Sequence, residues 1–411
     1  MAVFIIDNGS ASLKAGFSDA AHPTFNVPMV VGRPKYQHEL FDLPFDPRSV
    51  EKDKKQTRAR QKTQATAQRT IIGAAALQSS SIYNLRYPIV ASRVVDFEGL
   101  HDIYLQLFYA MAKVEPSDHP VMVSESLDTS DAQRLGFCET FFEELRVPEM
   151  AFVMQPVMSL CSTGLTSGFV IESGHGSTQM CGIADGYLLP NCCSKVNFWS
   201  GATLNGLIQD YLSRCRIFEA DVERDWALIT AIKHRFARLN AFSDRVGGGK
   251  APQKISWNAM YKRQEDNPSL YEFPDGSVAD LSAVSRITHA MFWQNESLGF
   301  EHENLSETIK RLIQKAEIDL RREIMGNIVL NGGGAAIPGL RMCLEADLKE
   351  TLENSSAKVA FHVEEPPTPF PVWQGGGIMC EIDPGRQSSS WVTKEVFQEE
   401  GARALQKLRH L

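Results

Sequence analysis

The chain has 411 residues and a mass of 45.8 kDa, with 43% hydrophobic and 22% charged residues. That balance excludes wholesale disorder, and no apolar run reaches the ~18 residues that a membrane-crossing helix needs. The formal charge of 42 − 50 = −8 argues against a whole-surface nucleic-acid binder, which would be basic.

In chain order, the N-terminal Met-Ala-Val-Phe-Ile-Ile-Asp has no basic leader and too short an apolar stretch for a signal peptide. Val3–Ile6 reads as a strand ending in the turn Asp7-Asn8-Gly9-Ser10, and Leu13–Phe17 resumes it. Residues 51–69 carry seven Lys or Arg (Lys52, Lys54, Lys55, Arg58, Arg60, Lys62 and Arg69) with almost nothing apolar. This reads as a solvated loop or exposed helix before it reads as a binding site, and it marks 35–86 as the candidate for an insertion or a mobile subdomain. Helical spacing over 97–113 and 131–145 flanks a strand at Val121–Val123, and a further strand covers Val147–Val153. Residues 203–243 and 305–322 read as helical, and Pro274-Asp275-Gly276 as a hairpin turn. Gly247-Gly248-Gly249-Lys250 lacks the outer frame of a phosphate loop and reads as a surface turn. The tail carries Gly375-Gly376-Gly377 and then a polar helix to Leu411. The eight cysteines form no CxxC pair, so neither a zinc cage nor a disulfide framework is expected, and a reducing compartment fits.

One pattern recurs. Phe169-Val170-Ile171-Glu172-Ser173-Gly174-His175-Gly176 has the form of Phe4-Ile5-Ile6-Asp7-Asn8-Gly9-Ser10, with the acids 172 − 7 = 165 residues apart. A single repeat of that length implies two related domains. Glycine turns at 9–10, 174–176 and 332–334 each follow a short apolar strand. Two such hairpins face to face offer backbone N–H groups to a polyphosphate, with glycine permitting close approach. Asp7 and Glu172 near phosphates make sense with a divalent cation held through water between them, and Lys14 reaches a phosphate as a point charge.

These residues resemble the actin family. The resemblance runs nearly end to end, through Asp7–Ser10, Lys14–Phe17, Val31-Gly32-Arg33-Pro34, Tyr87-Pro88-Ile89, Gln155, Glu172–Gly176, Gly186–Pro190, Tyr271–Gly276, Leu330–Gly333, Pro338-Gly339, Val372–Gly376 and Trp391. It implies an α/β, actin-like fold, a duplicated RNase-H-like unit whose two domains flank a nucleotide cleft in four subdomains. Residues 1–162 plus 371–411 would form the small domain, with 29–86 as its extended subdomain 2. Residues 163–370 would form the large domain, with about 199–300 as subdomain 4. The implied cofactors are ATP or ADP and Mg²⁺. Ser10, Ala11 and Lys14 would meet the phosphates, with Gly174, His175 and Gly176 as the second loop. Lys233 and His234 would lie near the nucleoside, and Gly332, Gly333, Gly334 and Ile337 near the adenosine. Asp7, Gln155 and Glu172 would hold Mg²⁺ through water, and Gln155 and Gln179 would at most position an attacking water.

The departures from actin point away from efficient hydrolysis. Ala11 replaces a Gly of the first loop, and Glu172 is one methylene longer than actin's Asp. His175 replaces an Asp, removing an acceptor and, on this reading, adding positive charge. Gln179 stands where actin has a His, and Gln is not a general base. His234 replaces a Glu, Ala91 a His, Ala336-Ile337 a Met-Tyr pair, and Pro369 a Lys. The expectation is an actin-related structural subunit, nucleotide-bound, in a cytoskeletal assembly (motor-associated, axonemal, dynactin-like or nucleating). The alternatives are a subunit of a nuclear chromatin-remodelling complex, a filament-forming ATP-hydrolysing actin, or a sugar kinase of the same superfamily, though no catalytic Asp for the last is visible. Cytoplasm is the expected compartment, with the nucleus as alternative. The partners expected are proteins, including actin or other actin-related proteins, with no membrane and no sequence-specific nucleic acid. Trp293 and Phe300 are candidate anchors, with core packing an equal alternative, and a partner-helix groove is expected near Cys161, Ser162, Gly164, Met379 and Val392.

Overall fold

The computed structural model describes residues 2–35, 70–219, 225–239, 269–301, 303–352, 359–362, 370–386, 388 and 390–408. The basic stretch 51–69, most of the insertion read over 35–86, Gly247–Lys250 and Pro369 lie outside the described residues.

Two mixed sheets organise the chain. The first runs in the order Trp391–Thr393, Glu149–Met154, Val121–Glu125, Phe4–Asn8, Ser12–Phe17, Phe25–Pro28. The second runs Tyr187–Val196, Thr178–Ala184, Gly168–Ser173, Ile328–Asn331, Phe361–His362. In each, an antiparallel three-strand meander is extended at its first strand by two parallel strands. The registers repeat as well: Asp7 opposes Lys14 and Glu172 opposes Gln179, and 172 − 7 = 179 − 14 = 165. The central strands Phe4–Asn8, Val121–Glu125 and Gly168–Ser173 are buried throughout, which is why they read as unbroken apolar runs rather than alternations.

Helices cover the sheets, and several start on side-chain caps. Asp96 accepts from the Gly99 amide ahead of Phe97–Leu105, and Ser200 accepts from Thr203 ahead of Gly201–Arg214. The segment read as one helix over 305–322 is two, Leu305–Gln314 and Ile318–Gly326. The break is satisfied by Arg321, whose guanidinium donates to the carbonyls of Gln314 and Ala316 at 2.6 and 2.8 Å. The hairpin read at Pro274–Gly276 is present, joining Leu270–Glu272 to Val278–Asp280.

The tail departs from expectation. Gly375–Gly377 lies inside the helix Pro371–Ile382, and the chain returns as a strand at Trp391–Thr393 before a short helix, Lys394–Glu400, that runs on into a 3₁₀ helix over Gly401–Leu408. The glycines serve packing. A Cβ on Gly375 would lie 1.7 Å from the Met158 carbonyl oxygen, and one on Gly376 would lie 2.6 Å from the Met158 methyl. The helix therefore crosses Gln155–Cys161 at backbone contact, and Val372, Trp373 and Met158 share one buried cluster with Ile5, Met122 and Ala151.

The two glycines at the ends of that contact differ testably. Gly375→Ala should destabilise the protein by about 1–3 kcal/mol or more, because neither backbone can give way. Gly377→Ala, whose Cβ meets only the Ser18 carbonyl at 3.7 Å, should be neutral or stabilising by about 0.5–1 kcal/mol. Paired denaturant melts read both, and equal destabilisation would remove the packing account.

Candidate nucleotide and cation site

The two hairpins that repeat in sequence face one another. A Cβ on Gly176 would lie 2.3 Å from the Ser10 hydroxyl, so the second tip sits against the first at backbone distance. Between them projects a third tip that the sequence does not announce. Ile89–Val90 pairs with Arg93–Val94, and the two connecting residues, Ala91 and Ser92, both have positive φ, 51° and 58°. A two-residue hairpin turn of this hand ordinarily uses Asn-Gly, whereas Ala-Ser strains against its Cβ atoms. The strain is held by contacts to both halves. The Ser92 amide donates to Ser10 Oγ at 3.0 Å, and the Ser92 hydroxyl lies 2.9 Å from that of Ser177.

Behind the tips the polar residues converge. Asp7 is buried; its Oδ1 accepts from Ser124 Oγ at 2.8 Å and its Oδ2 from Lys14 Nζ at 3.2 Å. Gln155, first residue of its helix, donates its amide nitrogen to Asp7, to the Asn8 carbonyl and to Ser124, each at 3.3 Å. Its carbonyl oxygen accepts from Gln179 Nε2 at 2.7 Å. Gln179 Oε1 in turn accepts from the Leu127 amide at 2.7 Å and from Ser126 Oγ at 3.2 Å. Farther out, Asp128 accepts from Lys195 Nζ at 2.5 Å and Arg93 Nε at 2.7 Å. Burial opposes ionisation of Asp128, but the hydrogen bonds from Lys195 and Arg93 outweigh it and hold its carboxyl below the usual range.

Glu172 is largely buried, at 9% exposure, and accepts from Ser159 Oγ at 2.7 Å, which itself receives Asn331 Nδ2 at 2.7 Å. Burial pushes its carboxyl up to about 7; Asp7 adds to the rise, while Ser159 and Lys14 oppose it. Gly332, at φ 87°, lies so near that a Cβ would meet Glu172 Oε1 at 2.8 Å, and Gly334 packs on Ser173. Gly333 is exposed, with open space around it.

His175 corrects one expectation: it adds no positive charge. Burial, and then the neighbouring Lys233, push its imidazole down to about 4, so it is neutral near pH 7. Lys233 is itself brought down to about 8 by burial, and donates to the Gly201 carbonyl at 3.2 Å. Ser10, Ala11 and His175, with Met29, Val30, Tyr87 and Trp226, line a narrow crevice with room for about one water molecule. His234 is exposed beside Lys233, and Ile337 is half-buried against the core of the second sheet rather than lining that crevice. Val392, expected in a groove, is a core residue of the first sheet at 4% exposure. Trp293 is tied inward, its indole N–H donating to Asp347 at 2.5 Å, and Phe300 rests on Phe198 at 4.3 Å between centroids.

The donor set fits a hydrated hard cation. Asp7 and Glu172 present carboxyl oxygens from the two hairpins, with Gln155 turning its amide nitrogen to Asp7 and its oxygen to Gln179, while among the described residues no three acidic, His or Cys side chains approach closely enough to cage a bare ion. Water would therefore complete the shell. Sequence reasoning missed Ser92, Ser124, Ser159 and Asp128, ordinary residues whose role lies only in where the fold puts them.

The Glu172 carboxyl gives a pH test. Its folded value, about 7, stands above the ordinary 4.5, so the folded state holds a proton that the unfolded state releases. Stability contributed by the protonated acid is present below 4.5 and is lost as pH rises through 7, a change of roughly 3 kcal/mol. Without divalent cation, melting temperature should fall over that window. Glu172→Gln should flatten the fall and raise stability at pH 8, and millimolar Mg²⁺ with nucleotide should offset it in the parent protein. An unchanged profile in the variant would locate the titration elsewhere.

The family model for actin matches residues 1–409. With that match spanning nearly the whole chain and the paired α/β sheets bringing two glycine-turn hairpins together, the protein belongs to the actin family.

Proposed function

We propose that this chain is an actin-related protein serving as a nucleotide-bound structural subunit of a larger cytoskeletal assembly, with ATP hydrolysis weak or lost. The observation that carries the reading is the engagement of Gln179. Both ends of its amide are used, one on Gln155 and the other on Leu127 and Ser126. A primary amide in that position ties the two halves together and does not take up a proton in the neutral range.

The binding half of the reading rests on what remains around it. Lys14, Ser10 and the turn at Gly174–Gly176 face anionic groups; Asp7, Gln155 and Glu172 face a cation. Bound Mg²⁺ and ATP or ADP supply the opposite charges at those places. Residues 1–162 with 371–411 act as the small domain and 163–370 as the large one, with the nucleotide between. The partners are proteins, actin or other actin-related proteins among them, the compartment is the cytoplasm, and the basic 51–69 stretch is where a function specific to this chain is expected to reside.

Purified protein should release ATP or ADP on denaturation, and its melting temperature should rise in Mg-ATP. Turnover should fall below that of conventional actin by about 10²-fold or more, the typical loss when positioned proton transfer is removed. High-speed pelleting in Mg-ATP should leave it in the supernatant, and affinity purification should return a stoichiometric complex. Actin-like turnover would reject the loss of hydrolysis, and robust filaments would reject the subunit role.

A further inference from the structure

Away from the cleft, the second sheet carries a pair of cysteines that neither the nucleotide site nor the fold requires. Thr178–Ala184 and Tyr187–Val196 run antiparallel, and Cys181 stands directly opposite Cys193. Opposed residues on antiparallel strands have Cα atoms about 4.5–5.5 Å apart, inside the roughly 4.4–6.8 Å span of a disulfide. Both side chains lie on one face, in the cluster formed by Val157, Leu160 and Val170. Cys192 points to the other face, into the larger core, so the adjacent pair Cys192-Cys193 is not the one the strand brings together. All eight cysteines are free thiols, and no disulfide framework uses these two.

The backbone beside the pair has room to adjust. Between Cys181–Cys193 and the next pair, Ile183–Leu188, the single residue Gly182 faces four, Leu189–Cys192, a bulge larger than the usual two against one. The Cys193 thiol donates to the Leu189 carbonyl across that bulge at 3.2 Å. Cys193 is half-buried and Cys181 fully buried, so solvent reaches one thiol and the other stands behind it. A hydrogen bond from Cys181 holds the Cys193 thiol below its ordinary range despite burial. By contrast burial, above all, pushes up Cys138, Cys161, Cys181, Cys192, Cys215 and Cys380. Cys215, though the most exposed, is therefore the poorer nucleophile.

We propose that Cys181 and Cys193 form a reversible cross-strand disulfide on exposure to a hydroperoxide, a modification site in the strand pair that also carries Gln179 and Lys195. The Cys193 thiolate attacks one peroxide oxygen. The O–O bond breaks, and the departing alkoxide or hydroxide takes up a proton, leaving a sulfenic acid on Cys193. The Cys181 sulfur then attacks that sulfur, the S–O bond breaks, and water leaves with the Cys181 proton. Two thiols are oxidised to one disulfide and one hydroperoxide is reduced to alcohol (or water) plus water; a thiol reductant reverses the bond. Gln179 opposes Lys195 two residues along, so the crosslink stiffens the ladder at the point where it contacts the other half of the protein.

The test treats the full-length protein with hydrogen peroxide, blocks remaining thiols by alkylation, and maps peptides without reduction. Cleavage at Asp185, the one acidic residue between the two cysteines, separates them. A peptide linked through Cys181 and Cys193 is expected, lighter by two hydrogens and split by dithiothreitol, with both alkylations lost together. Cys192→Ser should retain the link, and Cys193→Ser should abolish it while Cys181 stays alkylatable after unfolding. The parent mapping stands by itself if a variant folds poorly. A link through Cys192, Cys193 advancing to sulfinic acid with Cys181 untouched, or oxidation confined to Cys215 would each overturn the proposal.

Discussion

The hydrogen bond between Gln155 and Gln179 is the interaction on which the arrangement of the cleft turns. It joins the first residue of the helix Gln155–Cys161, which links the two sheets along the chain, to the second hairpin, and each amide spends its remaining groups on its surroundings, Gln155 on Asp7, Asn8 and Ser124, Gln179 on Leu127 and Ser126. A buried amide left half-satisfied would cost about 1–3 kcal/mol, so the whole set moves together or not at all. Two amides also make a bridge of fixed polarity. Neither end titrates, which suits a joint that holds geometry and not one that relays a proton.

Charge placement follows from the same repeat. The two hairpins superpose in register, yet Asp7 is opposed by a lysine and Glu172 by Gln179. The first carboxylate thus has a cation 3.2 Å away within its own hairpin. The second has a hydroxyl and an enclosing wall, and burial dominates its behaviour. His175 completes the picture from the opposite direction: beside Lys233 and mostly out of water, it is neutral, so replacing an acid there removes a negative charge without creating a positive one.

What the sequence made legible was what local chemistry encodes. Asp7-Asn8-Gly9-Ser10 and its echo at Glu172–Gly176 fix two turns, and the unbroken apolar runs before them fix buried strands. The glycines of 375–377 carry the same letters and the opposite meaning: they are helical, and their reason is Met158 on a helix some 217 residues earlier, 375 − 158. The strand at Trp391–Thr393 reads as helix in the sequence because its partner, Glu149–Met154, lies still farther away, 391 − 151 = 240 residues. Ala91-Ser92 carries no turn signal at all, and only contacts from both hairpins make its left-handed backbone tolerable. In each case the missing information was tertiary: which backbone approaches, and from where.

The Thr178–Ala184 strand shows why such placements are coupled. Side chains two apart on a strand share a face, so Gln179, Cys181 and Ile183 line up along one edge of the interface between the halves. Gln179 meets the linking helix at Gln155, while Cys181 and Ile183 pack under the same helix at Val157 and Leu160. The linking helix is itself pinned from its other side by the glycine contact at Gly375. A change in the spacing of the strand pair at Cys181 and Cys193 that the neighbouring bulge does not absorb therefore has few places to go. It is passed to the helix, and the first polar group on that helix is the amide of Gln155, which holds Asp7.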